Sequence, residues 1–408
     1  MEIEEIYADS LKALEVLKGV IHRTPLDYSR TISGATGGNV YLKLENLQRT
    51  SSFKVRGAYF KVWSLGDERK KGVIAASAGN HAQGVALGAT LLHTKSTIVM
   101  PEVAPLSKIE ATKNYGAEVI LYGKNFDEAE KKAIEISEET GKVMVHPFDD
   151  PKVIAGQGTI AHEVLEQLSK KPDIVIMPIG GGGLISGNAI VLKKKFGDNI
   201  KVIGVEPSYA AKYSEGLKTG KPVNIKNVPF GLMDGLIVKN SGKYTFEIIK
   251  DYVDDIVKVN DAEVARAIFL LLERGKILAE GAGAASVAAL LEGKVNVKGK
   301  DVVAYITGGN VDMTRISNIL NYELARSGRI VKLSGTIPDL PGWLDIILSK
   351  LAQAKLNVID IRHDRITHLI EPGKALIEVI VESSTPEAID KVIEELNSIG
   401  VSFSKVVP

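Results

Sequence analysis

Residues 174–187 of this 408-residue chain are IVIMPIGGGGLISG: an apolar, β-branched run, four consecutive glycines and the start of a helix. The run Ile174–Pro178 has the composition of a buried strand. No side chain covers the backbone N–H groups of Gly180–Gly183, and a helix that begins there adds the positive end of its dipole. The stretch therefore predicts a strand, a phosphate-binding turn and a helix. It has neither the Lys-Ser/Thr pair of a nucleotide loop nor the GxGxxG spacing of a dinucleotide fingerprint.

The same order of strand, small-residue turn and helix recurs before and after this stretch. Other short apolar runs are Val73–Ala76, Ser96–Met100, Glu118–Leu121, Val202–Val205 and Val302–Ile306. Strands that alternate with helices predict parallel sheets covered by helices. Ligands of such α/β sheets bind at the carboxyl ends of the strands. Because the glycine clusters fall at those ends, we expect the chemistry there.

The pattern changes near residue 331. From there it predicts strands at 329–336, 357–364, 374–383 and 401–407, and helices at 342–355 and 386–400. The order β-α-β-β-α-β is that of a ferredoxin-like α+β unit. The segment is large enough to fold as a domain and too small to be another catalytic lobe.

Charge and composition exclude several function classes. Lys plus Arg number 51 and Asp plus Glu 50, so the net charge of +1 indicates no basic surface for nucleic acid. Cysteine is absent, which excludes disulfides, thiolate nucleophiles and cysteine-ligated metals. The N-terminal segment is acidic and lacks a signal-peptide core, and no apolar run approaches the ~20 residues of a membrane span. We expect a cytoplasmic protein with a small-molecule substrate, and neither nucleic acid nor membrane as a partner.

A lysine near a predicted helix start is the first candidate for covalent chemistry. The motif Ser51-Ser52-Phe53-Lys54-Val55-Arg56-Gly57-Ala58 follows the strand-like run Tyr41–Leu44, and its helix is predicted to begin near Arg56. Burial and the positive end of the helix dipole would lower the pKa of the Lys54 amine, as an imine-forming amine requires. A single lysine of this kind is more often a surface residue beside a capping serine.

The turn after Val73–Ala76 supplies backbone and side-chain donors. It contains Ser77-Ala78-Gly79-Asn80-His81, and its exposed N–H groups can hold a carboxylate. The Asn80 amide can donate a hydrogen bond to a phenolate oxygen. The alternative is a plain turn between a strand and a helix, and His81 taken singly is more often a packing residue than a base.

A hydroxyl follows the last of the apolar runs. Thr307 precedes Gly308-Gly309-Asn310 and can donate a hydrogen bond to a ring nitrogen, unless it merely stabilises its own loop. Lys54, Asn80, Gly180–Gly183 and Thr307 together offer what one cofactor needs. They supply an amine for an aldehyde, an amide for a phenolate, a cradle for a phosphate and a hydroxyl for a pyridine nitrogen.

At these motifs the sequence resembles the fold-type II pyridoxal-phosphate enzymes, the tryptophan-synthase-β-like group, and among them the threonine dehydratases, or threonine ammonia-lyases. SSFKVRGA, SAGNHAQGVA, GGGGLISG and TGGN occur in the family's order, and the resemblance covers about residues 5–330. It implies an α/β fold with two parallel-sheet lobes, in which a catalytic domain over 1–325 carries a small lobe, about 45–150, inserted in the large one. It also implies pyridoxal 5′-phosphate as cofactor and β-elimination of L-threonine to 2-oxobutanoate and ammonia, with action on L-serine as well.

The resemblance also implies a role for each matching residue. Lys54 is the implied Schiff-base and catalytic lysine. The implied cofactor-binding residues are Phe53, Lys54, Asn80, Gly180, Gly181, Gly182, Gly183, Leu184, Glu280 and Thr307. The implied substrate-binding residues are Ser77, Ala78, Asn80 and His81. Serine is the commoner residue at the position of Thr307, so threonine is a departure that keeps the hydroxyl.

Two positions separate this chain from the serine racemases, which it also resembles. Racemases carry a second serine where this chain has Ala78, so we expect elimination to outrun racemisation. They hold a divalent cation with an acidic pair, and after Glu206 the second acidic position here is Lys212, so no metal is expected. The alternatives are a serine or 3-hydroxyaspartate dehydratase or racemase of the same fold, and a non-catalytic amino-acid sensor.

The C-terminal segment 326–408 resembles an ACT domain, a regulatory module that pairs and often binds amino acids. The resemblance implies allosteric control by isoleucine or valine within isoleucine biosynthesis. It also implies a homodimer or homotetramer. A dimerisation module without a ligand is the alternative, because a fold does not determine a function.

Overall fold

The computed structural model describes residues 3–226, 228–366, 370–383 and 385–406. The chain divides into two compact units, Met1–Val311 and Asp312–Pro408. Within the described ranges, no helix combines the length and the apolar composition needed to cross a membrane.

The elements are numbered in chain order. The strands are β1 Leu26–Tyr28, β2 Asn39–Leu44, β3 Val73–Ala76, β4 Ser96–Met100, β5 Glu118–Leu121, β6 Val143–Met144, β7 Ile174–Pro178, β8 Lys201–Pro207, β9 Asp255–Val259, β10 Asp301–Ile306, β11 Ile330–Pro338, β12 Asn357–Asp364, β13 Lys374–Glu382 and β14 Ser402–Lys405. The α-helices are α1 Ile3–Leu17, α2 Arg30–Thr36, α3 Lys54–Ser64, α4 Asn80–Leu91, α5 Leu106–Asn114, α6 Phe126–Thr140, α7 Pro151–Leu168, α8 Gly183–Phe196, α9 Lys212–Thr219, α10 Lys243–Tyr252, α11 Asp261–Leu270, α12 Gly281–Leu291, α13 Met313–Arg326, α14 Trp343–Gln353 and α15 Pro386–Ser398.

A six-stranded sheet forms the centre of the first unit, in the order β1-β2-β10-β7-β8-β9. Neighbouring strands are parallel, except that β1 is antiparallel to β2. Every residue of β7 is buried, which explains why its sequence is continuously apolar rather than alternating. The helix α8 packs on this sheet through buried residues such as Ile185 and Leu192.

A second sheet in the same unit has the order β5-β4-β3-β6, and all its pairs are parallel. Val85 and Ala89 of α4 pack with Val73 and Ala75 of β3 in its core. All four strands fall within about 45–150, the range predicted for the inserted lobe. The two parallel sheets confirm the predicted α/β class, whereas the limits of the inserted lobe stay a prediction.

The second unit contains a four-stranded antiparallel sheet in the order β12-β13-β11-β14. With α14 and α15 it has the predicted β-α-β-β-α-β order, and its core is apolar. The predicted last strand, 401–407, is observed as β14, and residue 407 lies outside the described residues. Helix α13 contacts β11 and belongs to this unit. The boundary predicted between residues 325 and 326 falls near the end of α13. The compact unit in the structure begins before that helix, at Asp312.

Candidate active site

Three of the predicted motifs meet at the carboxyl ends of β3 and β10. The Phe53 N–H donates to the Thr307 carbonyl at 3.2 Å, and Ser52 forms an isolated β-bridge with Gly308. A side chain at Gly308 would come within 3.3 Å of the Asn80 amide nitrogen. The structure thus brings Lys54, Asn80 and Thr307 together from distant parts of the sequence.

Lys54 is the first residue of α3, two positions earlier than the helix start predicted near Arg56. Helical backbone at Lys54 places it in the positive field of the helix terminus. Its Nζ donates to the Pro147 carbonyl at 3.0 Å and lies 5.3 Å from the centre of the Phe53 ring. Burial lowers the pKa of the Lys54 amine to about 8, although the Glu280 carboxylate opposes the shift. The structure therefore presents a half-buried amine that loses its proton more readily than a surface lysine.

The lowered pKa of Lys54 makes a testable difference to its reactivity. An ordinary lysine has a pKa of about 10.4, and only the neutral amine attacks an acylating reagent. In the cofactor-free chain the rate of Lys54 modification should therefore rise with pH and level off above about 8. Pulsed acetylation followed by peptide mass spectrometry measures this rate, with surface lysines of the same sample as the reference. A Lys54 profile that coincides with that of the surface lysines would contradict the burial argument.

Asn80 and Glu280 form a hydrogen-bonded pair beside the lysine. The Asn80 Nδ2 donates to Glu280 Oε1 at 2.7 Å, and the Asn310 Nδ2 donates to Asn80 Oδ1 at 2.7 Å. Burial and the nearby Asp234 raise the pKa of the Glu280 carboxyl to about 7. Asn310 was part of a predicted motif but not among the predicted site residues. The two contacts engage both the nitrogen and the oxygen of the Asn80 amide and so fix its orientation.

His81 is buried, and its imidazole is used by the fold. Its Nε2 lies 2.8 Å from the Val145 carbonyl, which can only accept, so the ring donates there. Burial and the positive charge of Lys54 lower the pKa of His81 to about 3, so the ring is neutral near pH 7. The imidazole therefore offers no positive charge to a carboxylate. Any anion held by this turn depends on backbone N–H groups and on Ser77, whose Oγ accepts from the Gly79 N–H at 3.2 Å.

The glycine turn Gly180–Gly183 links β7 to α8. Gly182 has φ of +91°, in the left-handed region that favours glycine. A side chain at Gly183 would meet the Phe148 carbonyl at 2.8 Å, and one at Gly181 would overlap the Phe148 ring. Phe148, which follows β6, therefore packs directly against the glycine turn. Four side-chain-free residues at the start of a helix form an anion cradle.

Leu184 and Thr307 are almost fully buried, at 5% and 2% exposure. The Leu184 side chain packs in the core of the large sheet, so it can serve a ligand only through its main chain. Ala78 packs at the edge of the core around β3.

Several residues near the site were not predicted. Pro147 and Phe148 belong to His146-Pro147-Phe148-Asp149-Asp150, which follows β6, so the strand-end rule could have identified the segment. The Asp149 carboxylate accepts from the Lys243, Tyr244 and Thr245 N–H groups at 2.8–3.0 Å and caps α10. The segment is thereby fixed against the large lobe.

A buried ion network also escaped prediction. The Arg56 guanidinium donates to Glu45 Oε2 at 2.8 Å and to Glu163 Oε1 at 2.6 Å, and the Lys43 Nζ donates to Glu163 Oε2 at 2.6 Å. Lys43, Glu45 and Arg56 have no exposed surface. Arg56 is the third residue of α3, two positions after Lys54, so the network anchors the first turn of this helix.

The region of Glu206 and Lys212 holds no acidic cluster. The Glu206 carboxylate accepts from the Tyr213 and Ser214 N–H groups, each at 2.9 Å. Among the residues that the structure describes, no group of three or more His, Cys, Asp or Glu is arranged to hold a metal ion. Glu206 acts as the cap of α9.

These residues fit pyridoxal phosphate. The site has one half-buried amine for an aldehyde, a glycine turn packed too closely against its neighbours to accept a Cβ, an oriented Asn80 amide and a buried hydroxyl at Thr307. The arrangement supplies each group that the sequence motifs required.

Comparison with known proteins agrees with this chemistry. The family model described as pyridoxal-phosphate dependent enzyme matches residues 17–308. An L-threonine ammonia-lyase of Thermotoga maritima is 48% identical over 387 residues, which are 94% of this chain and 95% of the relative.

Two solved structures extend the comparison to the fold. Processed threonine deaminase isoform 2 of Solanum lycopersicum has a TM-score of 0.74 and 40% identity over 80% of this chain and 89% of its own. Maize serine racemase has a TM-score of 0.73 and 32% identity over 79% of this chain and 98% of its own. The chain therefore belongs to the family of pyridoxal-phosphate dependent enzymes, and within that family it groups with the threonine ammonia-lyases.

Proposed function

We propose that this chain is a threonine ammonia-lyase that converts L-threonine to 2-oxobutanoate and ammonia, and L-serine to pyruvate and ammonia. The observation that supports this most is Lys54, a half-buried amine with a pKa of about 8 beside the Asn80–Glu280 pair. In the reaction the substrate loses its Cα proton and its β-hydroxyl, and the product enamine then tautomerises and is hydrolysed. The water lost by elimination is regained by hydrolysis, so the net products are the oxo acid and ammonia.

The Lys54 amine has two roles in this proposal. It would hold the cofactor through its aldehyde at rest, and as a free amine it would take the Cα proton of the substrate as a general base. A pKa of about 8 suits the second role because a useful fraction of the amine is neutral near physiological pH. When bound, pyridoxal phosphate supplies a ring that stabilises the negative charge left on Cα.

Four other groups position the reactants. We assign Gly180–Gly183 and the Leu184 main chain to the cofactor phosphate, Phe53 to the face of the ring, Asn80 to the phenolate oxygen and Thr307 to the pyridine nitrogen. Glu280 orients Asn80. A hydroxyl at Thr307 leaves that nitrogen unprotonated, which limits charge delocalisation and favours prompt loss of the β-hydroxyl. The turn Ser77–His81 receives the substrate carboxylate through its backbone N–H groups.

The second unit is proposed to regulate the first. Its β-α-β-β-α-β order supports an ACT domain that binds isoleucine or valine, and pairing of such domains would make the chain a homodimer or homotetramer. Feedback by isoleucine would place the enzyme in isoleucine biosynthesis, and we assign it to the cytoplasm. A unit that only dimerises is the alternative.

A serine racemase is the second candidate, because maize serine racemase has the same fold. Racemisation requires a proton carrier on each face of Cα. Lys54 serves one face, and Ala78 offers no proton at the position where racemases have a serine. Elimination is therefore favoured. A non-catalytic amino-acid sensor is less consistent with the intact Lys54, Asn80 and glycine turn.

Steady-state kinetics test these proposals together. Purified chain with pyridoxal phosphate should release ammonia and 2-oxo acid from L-threonine and L-serine, and isoleucine should lower the rate. Residual L-serine should stay in the L form. Accumulation of D-serine faster than ammonia would favour the racemase instead. Absence of both products, with the imine absorbance present, would favour the sensor.

A further inference from the structure

Lys212 is a buried lysine that the proposed reaction does not use. It is the first residue of α9 and has 0% exposure, and its Nζ has no hydrogen-bond partner among the described residues. Taking an ammonium group out of water without a hydrogen bond is costly, and such groups call for an explanation. Burial lowers the pKa of the Lys212 amine to about 8, and the opposing influence is the carboxylate of Glu206.

Glu206 is the buried anion of the same region. It ends β8 and has 0% exposure. Its carboxylate accepts from the Tyr213 N–H at 2.9 Å, and from the Ser214 N–H at 2.9 Å and hydroxyl at 2.8 Å. A fully buried carboxylate is tolerated when it is hydrogen-bonded and near a cation. Lys212 is the cation near Glu206. The hydrogen bonds of Glu206 hold the first turn of α9.

Tyr213 connects these two buried charged residues to the glycine turn. Its hydroxyl donates to the Gly181 carbonyl at 2.7 Å and lies 2.8 Å from Thr245 Oγ1. A side chain at Gly182 would come within 2.7 Å of the same hydroxyl. The Lys212 Nζ lies 5.1 Å from the centre of the Tyr213 ring, within the range of a cation–π interaction. One tyrosine therefore contacts the charged pair with its backbone and ring, and the glycine turn with its hydroxyl.

We propose that Glu206 and Lys212, two buried groups of opposite charge that both lie against Tyr213, position the Tyr213 hydroxyl under the glycine turn, and that this support sets the affinity of the turn for the cofactor phosphate. The three are positioning residues that act through the Gly181 carbonyl. The inference rests on the cofactor site of the proposed function and adds to it the element that shapes the phosphate cradle. Because the support concerns the phosphate, it should not affect binding of the rest of the cofactor.

Comparing pyridoxal phosphate with pyridoxal, which lacks the phosphate, tests this directly. The cofactor-free full-length chain is titrated with each ligand by absorbance, and the ratio of the two Kd values measures the phosphate contribution. Tyr213→Phe should reduce that ratio by about tenfold, because it loses the hydrogen bond from the Tyr213 hydroxyl to the Gly181 carbonyl. Lys212→Met should reduce it by a similar factor, because it leaves the buried Glu206 carboxylate without its cation and shifts the Tyr213 ring. Lys218→Met, on the exposed side of α9, is the matched control and should leave the ratio unchanged.

A double-mutant cycle separates positioning from general damage to the fold. If Lys212 acts through Tyr213, the Lys212→Met/Tyr213→Phe variant should show the same ratio as Tyr213→Phe alone. Adding Glu206→Gln to Lys212→Met should restore part of the ratio, because the buried carboxylate then carries no unpaired charge. Tyr213→Phe removes one oxygen and no charge, so it provides the test even where Lys212→Met does not fold.

Three outcomes would overturn the inference. Equal loss of affinity for both ligands would reduce Lys212 to a structural residue. If the reductions of the Kd ratio caused by the two single substitutions multiply in the double variant, Lys212 acts independently of Tyr213. An unchanged ratio in Tyr213→Phe would remove the hydroxyl from the phosphate site. If the unaltered chain does not bind pyridoxal phosphate at all, the proposed function is wrong as well. The three outcomes above, in contrast, overturn only the inference about Glu206, Lys212 and Tyr213.

Discussion

Replacing Lys54 by alanine is expected to remove both the imine absorbance of bound pyridoxal phosphate and the release of ammonia from L-threonine. The substitution removes the one amine at the start of α3, whose Nζ is held at the Pro147 carbonyl. Loss of the general base alone costs roughly 10²–10⁴-fold in rate, and loss of the covalent attachment adds to it. Absorbance spectra and a coupled 2-oxo acid assay measure the two effects on one sample.

Lys113→Ala is the control for this experiment. Lys113 is an exposed lysine in the last turn of α5, so its removal should leave absorbance and rate unchanged. A Lys54→Ala variant that keeps ammonia release near that of the unaltered chain would remove Lys54 from the reaction.

Replacing Arg56 by alanine is expected to produce the largest loss of stability. Its guanidinium makes hydrogen bonds of 2.6–2.9 Å to both Glu45 and Glu163 with no exposed surface. Breaking a buried ion pair by removing one partner typically costs 3–5 kcal/mol, about the largest effect of a single substitution, because the remaining charges stay buried. Urea unfolding of the cofactor-free chain followed by circular dichroism should therefore show a much lower midpoint.

The exposed pair Lys218–Glu215 provides the comparison. Its lysine side chain is 66% exposed, and Lys218→Ala should change stability by less than about 1 kcal/mol. Adding Glu45→Gln to Arg56→Ala should recover part of the loss. A change in Arg56→Ala as small as that in Lys218→Ala would mean that the network contributes no net stability.

The strand ends of the fold were predictable because their signal is local. A short apolar, β-branched run between turn-forming or helical segments predicts a strand without reference to the rest of the chain. Ile174–Pro178 and Gly180–Gly183 are the clearest case, and β7 and the start of α8 occur where the sequence indicates. The C-terminal β-α-β-β-α-β order was accessible for the same reason.

What sequence reasoning missed depends on contacts between distant residues. Nothing near Arg56 indicates that its partners are Glu45, which directly follows β2, and Glu163, which the packing of α3 against α7 brings to it. Likewise, only the structure shows that the His81 ring is directed at the Val145 carbonyl. The start of α3 was placed two residues late because Phe53 carries no capping side chain to mark it.

Lys54 is proposed to carry the cofactor, and one chemical measurement identifies the lysine directly. Borohydride reduction of the chain with bound pyridoxal phosphate, followed by proteolysis and mass spectrometry, fixes the bond in place and identifies the residue. If Lys54 carries the cofactor, the pyridoxyl group should be on the peptide that contains Lys54, and the modification should be lost in Lys54→Ala. A pyridoxyl group on another lysine, or on none, would contradict it.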